Sequence, residues 1–216
     1  MDYRKIYNKD YFDGRNSFFY KLGYGNFARF YFDNLFKPLK PFIEKIGKGK
    51  ALDVGCAFGL MLKRFPDSFE KFGVDVSEYA IKEAGKRLPE AKLIVVNAEN
   101  ELPFPEKNFD IILCNDLLEH LEYPEKALGN IFKVLKKGGI CYINSPNLNF
   151  LRKKFFSYAD GKEHHISLFP RKNLLKLLEK NGFKTVKNWT YLTLAYFFFI
   201  KFKSNIGTES GFICTK

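Results

Sequence analysis

In ALDVGCAFGL, residues 51–60, an apolar run carries Asp53 in its middle, and glycines follow at Gly55 and Gly59. A strand buried on both faces gains nothing from a carboxylate, which costs free energy to desolvate unless it is paired. An acid ending a strand before small residues suits a site that holds a cation, with a ligand lying close over the backbone of Gly55, Cys56, Ala57 and Gly59. A pyrophosphate would want donors there. The dinucleotide fingerprint G-x-G-x-x-G/A also fails: counted from Gly55 it meets Ala57 and then Leu60, with glycine one residue early at Gly59. A second acid, Asp75, closes GVDVS and could accept both hydroxyls of a ribose, as any adenosine-bearing cofactor offers them. NAENELPF (97–104) provides a backbone N–H and polar groups for an adenine edge, and CNDLLEHL (114–121) gathers Asn115, Asp116, Glu119 and His120. The chain has three histidines, His120, His164 and His165, so candidates for a general base are few. With adjacent histidines that cannot easily share an ion, and four cysteines without a CxxC, no metal site is expected.

These residues need a frame, and the hydrophobic pattern supplies one. KALDVG, KFGVDVS, KLIVVN, FDIILCN and ICYINSPN read as strands. Between them a helix is expected to start over 59–65. SEYAIKEAGKRL is a helix capped by Ser77, and PEKALGNIFKVLKKGG is a helix with Pro at its start and Gly past its end. Such alternation predicts an α/β, Rossmann-like, doubly wound sheet, mostly parallel, with ligands beyond the carboxyl ends of the strands near the switch point. PRKNLLKLLEKNGF adds a helix, and KTVKNWTYL with SGFICTK a closing antiparallel pair, for seven strands with the last one antiparallel. Residues 26–46 have helical spacing broken near Pro38 and Pro41. We therefore expect an N-terminal helical cap over 1–46 and the sheet domain over 47–216, one globular unit overall.

The 216 residues suffice for one domain with a full core. Net charge is +12, spread as +6 over 1–50, −3 over 51–150 and +9 over 151–216. Basic flanks attract anions, or are simply a solvated lysine surface. The N-terminus MDYRKIYNKDYF has no apolar h-region, and YLTLAYFFFI (191–200) is too short to span a bilayer. A cytoplasmic protein with reduced thiols and no transmembrane segment is expected.

Taken in order, ALDVGCAFG, GVDVS, NAENELPF, FDIILCNDLLEHLEYPEKAL, VLKKGG and INSPN resemble the class I S-adenosylmethionine-dependent methyltransferases, and most of all the small-molecule group that includes the quinone-biosynthesis enzymes. The resemblance covers about residues 50–146 in register, and HHISLFPRKNLLKLLEKNGF and the final strand more loosely. It implies S-adenosyl-L-methionine as cofactor and S-adenosyl-L-homocysteine as product. It implies that Asp53 lies under the amino end and that the 55–59 turn, with Cys56, meets the methionine moiety. Asp75 takes the ribose hydroxyls, Val76 packs on adenine, and Asn97, Ala98 and Glu99 border that ring. Asn115 lies beside the sulfonium. Three positions depart from the pattern: Ala57 for the middle glycine, Asn97 for an aspartate, and Lys137 for the proline of the LKPGG turn. The extra methyl of Ala57 fits unless its φ is positive.

Methyl transfer from a sulfonium is an in-line displacement that the protein serves chiefly by positioning. His120 and His165 are the candidate catalytic bases, with His164 behind them; each also reads as a loop anchor. Specificity is expected from residues 1–35 and 148–169, both aromatic and basic. They suit a small or lipid-like acceptor, with the transfer to O, N or C left open. Nucleic acid ranks lower, because CNDL lacks the N/D-P-P-Y/F tetrapeptide that grips an exocyclic amine. An RNA or protein methyltransferase, a non-catalytic module of the same fold and an NAD-dependent oxidoreductase are the alternatives. FFFIKFK (197–203) reads as buried structure rather than a membrane contact. The oligomeric state stays open.

Overall fold

The computed structural model describes residues 1–21, 24–194 and 198–216, without the side chains of 19, 24–28, 193–194 and 198. Leu22 and Gly23 of the expected specificity segment, and residues 195–197 of the aromatic span, lie outside the described residues. The chain opens with short helices α1 (Tyr3–Ile6), α2 (Lys9–Phe12) and α3 (Phe18–Lys21), then α4 (Tyr24–Phe36) and α5 (Lys40–Ile46). Strand β1 (Gly49–Val54) follows, then β2 (Phe69–Asp75), α6 (Glu78–Arg87), β3 (Lys92–Val95) and β4 (Phe109–Asn115). Next come α7 (Pro124–Val134), β5 (Leu135–Pro146), α8 (Phe150–Phe155), α9 (Ser157–Lys162) and α10 (Arg171–Lys180). The chain closes with β6 (Lys184–Leu194), β7 (Phe198–Phe202) and β8 (Glu209–Thr215).

The strands form one sheet in the order β3-β2-β1-β4-β5-β8-β6-β7. The β3-β2-β1-β4-β5 part is parallel, and β8 runs antiparallel between β5 and β6. The doubly wound sheet with an antiparallel last strand is thus as expected, with eight strands in place of seven. The extra one is β7, a hairpin partner of β6 drawn from the aromatic span. Its Phe199 stacks on Tyr191 at 4.4 Å between centroids. Neighbouring residues of the central strands face opposite cores, as the two-residue strand period requires. Leu52, Ile112 and Cys141 join one core with α7 and α10; Ala51, Ile111 and Ile140 join the other with α4 and α5.

Two expected elements differ. The stretch 59–65 forms only a 3-10 turn, Leu62–Arg64. Gly59 sits at φ 71°, and Phe65 is pushed to an extended conformation (φ −70°, ψ 141°) by the following proline, so too few residues remain for an α-helix. Helices α4 and α5 cover that face of the sheet instead. The helix over 124–139 ends at Val134, and Lys136–Gly139 bulges into β5, where pairing shifts between Phe109 and Ile111. Ser77 caps α6 as expected, accepting from Ala80 N at 3.2 Å. Among the described residues no helix is long and apolar enough to cross a membrane, and all four cysteines are buried and free.

Candidate active site

The switch point of the sheet lies between β1 and β4, and a cavity opens at their carboxyl ends, enclosing about 1200 Å³ of open space counted with its mouth. Gly55, Ala57, Asp75, Val76, Asn97, Ala98 and Asn115 line one side of it. Gly55 turns the chain at φ 79°, and a Cβ there would meet the Leu117 side chain at 3.1 Å. Ala57 adopts φ 44°, the conformation under which its methyl group is strained. Its N–H donates to Asp75 Oδ2 at 2.9 Å, while Ser77 N–H donates to Asp75 Oδ1 at 2.9 Å. Two backbone donors thus fix the Asp75 carboxylate and leave it lone pairs for a diol. Burial pushes its pKa up. Asn97 Oδ1 accepts from Glu99 N at 2.9 Å, an Asx turn that holds the 97–99 corner.

A smaller cavity shares Gly55, Ala57 and Asn115 with the first and reaches Asp53 and Cys56. Asp53 is 3 % exposed, and burial, with Asp75 adding to it, raises its pKa to about 8. Both amide atoms of Asn115 are buried without a partner among the described residues. An unsatisfied amide beside a buried carboxylate fits the ammonium and carboxylate of an amino-acid moiety, as Asp75 fits a ribose. The donor set therefore suits S-adenosylmethionine, which would lie with its amino-acid end at Asp53 and Asn115 and its ribose at Asp75.

The other half of the cavity is walled by tyrosines. Tyr7 OH lies 2.9 Å from His120 Nδ1, and Tyr31 OH donates to Asp116 Oδ2 at 3.1 Å. His120 and His165 pack edge to face, 4.7 Å between centroids. Burial, and then the neighbouring His165, hold His120 well below the usual histidine pKa, so it is neutral at pH 7. His165 Nδ1 lies 2.8 Å from Asp160 Oδ1. Arg152, 1 % exposed, binds Asp160 at 2.5 Å and Glu209 at 2.6 Å. Burial opposes ionisation of Asp160, but the His165 and Arg152 hydrogen bonds outweigh it and hold the carboxyl below its ordinary range. Glu119 is fully buried; its Oε2 accepts from Ser145 at 3.1 Å and its Oε1 has no partner among the described residues. Burial pushes Glu119 well up. Glu119, His120 and His165 also present ligand atoms within 4.8 Å of one another, a grouping that the adjacency of His164 and His165 did not suggest.

The N-terminal residues close this chamber. Tyr3 OH donates to Glu99 Oε1 at 2.9 Å, and Tyr11 and Ser17 donate to Glu163 at 2.6 and 2.8 Å. Three expected site residues therefore do other work. Glu99 lines neither cavity; its Oε1 accepts from Tyr3 OH and Tyr123 N–H, and its Oε2 from the Asn97 amide at 3.5 Å. Gly59 touches neither cavity; it makes a tight turn against α6, where a Cβ would lie 2.7 Å from Leu88 Cδ1. His164 is exposed at φ 57°, one residue outside the chamber that His165 enters. Nothing in the sequence motifs marks Tyr7, Tyr31, Arg152 or Asp160, which the fold brings to the chamber. Tyr3, Tyr7 and Tyr11 recur every four residues, a helical stripe legible in MDYRKIYNKDYF.

A family model described as a methyltransferase domain matches residues 27–188. An uncharacterised protein of Methanocaldococcus jannaschii is 32 % identical over 145 residues, covering 66 % of this chain and 68 % of the relative. A ubiquinone biosynthesis O-methyltransferase of Azoarcus sp. is 32 % identical over 127 residues, covering 56 % of this chain and 54 % of that protein. The chain thus spans about half the length of that relative. Among solved structures, a SAM-dependent methyltransferase of Thermotoga maritima, described as a possible histamine N-methyltransferase, superposes with a TM-score of 0.73 at 22 % identity over 89 % of this chain and 92 % of that one. A SAM-dependent methyltransferase of Archaeoglobus fulgidus gives 0.66 at 22 % identity, over 86 % and 94 %. The match over residues 27–188 makes the chain a member of the methyltransferase-domain family, with S-adenosylmethionine as its cofactor, and the solved structures share its doubly wound fold.

Proposed function

We propose that the protein methylates a small organic acceptor held in the tyrosine-walled half of the cavity. The observation that carries this reading is the continuity of the cavity, in which Asp75 and Asn115 share one space with His120 and His165. The cofactor supplies a methyl group already activated on a sulfonium. What the protein adds is alignment and exclusion of water. Tyr3, Tyr7 and Tyr11 line the chamber, and the orientation it imposes on acceptor and donor contributes on the order of 7–11 kcal/mol. His165 is the base: with Nδ1 turned to Asp160, its Nε2 is left to take a proton from the acceptor. His120, neutral and bound to Tyr7, shapes the wall beside it. The oxygen acceptor in the name of the Azoarcus relative belongs to a protein that this chain matches over about half its length, so it carries no separate reading here.

The test is calorimetric titration with S-adenosylhomocysteine beside NADH. Micromolar binding of the first and none of the second is expected. Asp75→Ala should weaken the first at least tenfold, about 1.4 kcal/mol, measured well below the melting temperature of the variant with its fold checked by circular dichroism. Binding of neither ligand, or unchanged affinity in Asp75→Ala, overturns the placement.

A further inference from the structure

Acidic side chains outnumber basic ones around the acceptor half of the cavity. Asp116, Glu119, Glu163 and Glu209 line it, and Asp160 lies behind His165. Arg152 also lines it, and both of its acidic partners are accounted for: Asp160 at 2.5 Å and Glu209 at 2.6 Å. Glu163 takes the Tyr11 and Ser17 hydroxyls. Asp116 takes Tyr31 OH and the Asn144 amide, both neutral donors. Among the described residues, no ion pair reaches Asp116 or Glu119. Among the described residues Glu119 Oε1 has no hydrogen-bond partner, although the residue is fully buried and faces the cavity.

A buried carboxylate oxygen without a donor costs free energy that a ligand can recover by bringing one. An acceptor with a carboxylate, or one bound as a phenolate, would bring one more acidic oxygen to a wall already crowded with carboxyl groups, and Arg152 is already taken. An acceptor bearing N–H groups brings the missing donors. Around those acids stand Tyr7 and Tyr31, and aromatic faces attract ammonium groups as well. We propose that the methyl acceptor is an amine, its nitrogen held by Glu119 and Asp116 within the tyrosine wall. The inference rests on the methyltransferase reading of the same site. In the transfer, an ammonium gives one proton to His165 Nε2, and the freed nitrogen lone pair forms the N–CH3 bond. The C–S bond breaks with its electron pair on sulfur. The products are a protonated methylamine, neutral S-adenosylhomocysteine, and one proton passed from His165 to solvent.

The experiment uses the wild-type chain and matched acceptors: tyramine against 4-ethylphenol, and dopamine against 4-ethylcatechol, each with EDTA and again with Mg²⁺. Binding to the S-adenosylhomocysteine-loaded protein is read by calorimetry, and transfer from methyl-labelled cofactor by mass spectrometry. Each amine should bind about tenfold more tightly than its amine-free partner, a difference of about 1.4 kcal/mol, and carry the label on nitrogen with EDTA present. Glu119→Gln should erase that preference and leave S-adenosylhomocysteine affinity as it was. An amine that binds no better than its partner overturns the inference, as does a catechol labelled on oxygen only when Mg²⁺ is present. A preference that survives Glu119→Gln removes Glu119 from it. Loss of S-adenosylhomocysteine binding in the wild type would instead sink the underlying methyltransferase reading.

Discussion

Ala57 holds φ 44° at the tightest point of the cofactor turn, where a Cβ sits uncomfortably near its own carbonyl. The turn is retained because Ala57 N–H must point at Asp75 Oδ2. Strain at one residue is thereby exchanged for a fixed carboxylate. Ala57→Gly should relieve it and raise stability by about 1 kcal/mol, read from urea unfolding of the apo protein. A loss of stability would mean that the methyl group packs well enough to outweigh its backbone cost. The residue scale is also where sequence reasoning went furthest. Asp53, Asp75 and Asn115, which line the cavities, stand out by type, since an acid or amide near the end of a buried strand has no packing reason to be there. Gly59 is ambiguous by type, because a glycine near a ligand turn looks the same whether it makes room for a ligand or for Leu88.

Among the elements, the N-terminal residues and the segment after β5 meet through one side chain. Glu163, 2 % exposed, accepts Tyr11 and Ser17 and so fastens the roof to the loop that carries His165. Glu163→Gln should weaken both charge-assisted bonds. Limited proteolysis should then cut within residues 1–21 several times faster, while the sheet stays resistant. Equal cleavage would show that the roof is held by its aromatic contacts alone. This meeting was not legible in the sequence. Hydrophobic spacing reports which face of an element is apolar, but not which distant loop it will touch, and Arg152 in LRKK reads as a surface cation until Asp160 and Glu209 close on it. The lost helix at 59–65 has a similar cause. Its apolar residues suit a helix, but Gly59 and Pro66 leave it no room, and α4 and α5 take over its burial.

For the molecule as a whole, a chain of net charge +12 surrounds an acidic interior. Its pH response follows from the buried acids. Asp53, with a folded pKa of about 8 against an ordinary 3.8, binds more protons folded than unfolded between those values. Stability therefore falls as pH rises from about 4 to 8, the reverse of the usual salt-bridged carboxylate. Asp53→Asn should flatten that part of the curve in the apo protein. Cofactor binding should carry the opposite sign, since an ammonium beside Asp53 favours the carboxylate, so affinity should tighten from pH 6 to 8 with proton release. Titrations in two buffers of different ionisation enthalpy would measure it, and an affinity independent of pH would detach Asp53 from the amino end.

The tyrosine roof has a consequence for timing. Tyr3, Tyr11 and Ser17 each spend a hydroxyl on an acid belonging to another part of the chain, and Tyr7 spends one on His120. The same latches that shut water out before the reaction shut the spent nucleoside in after it. Each catalytic cycle must unfasten and refasten them, so the tempo of the enzyme would be set by its door rather than by the bond it makes.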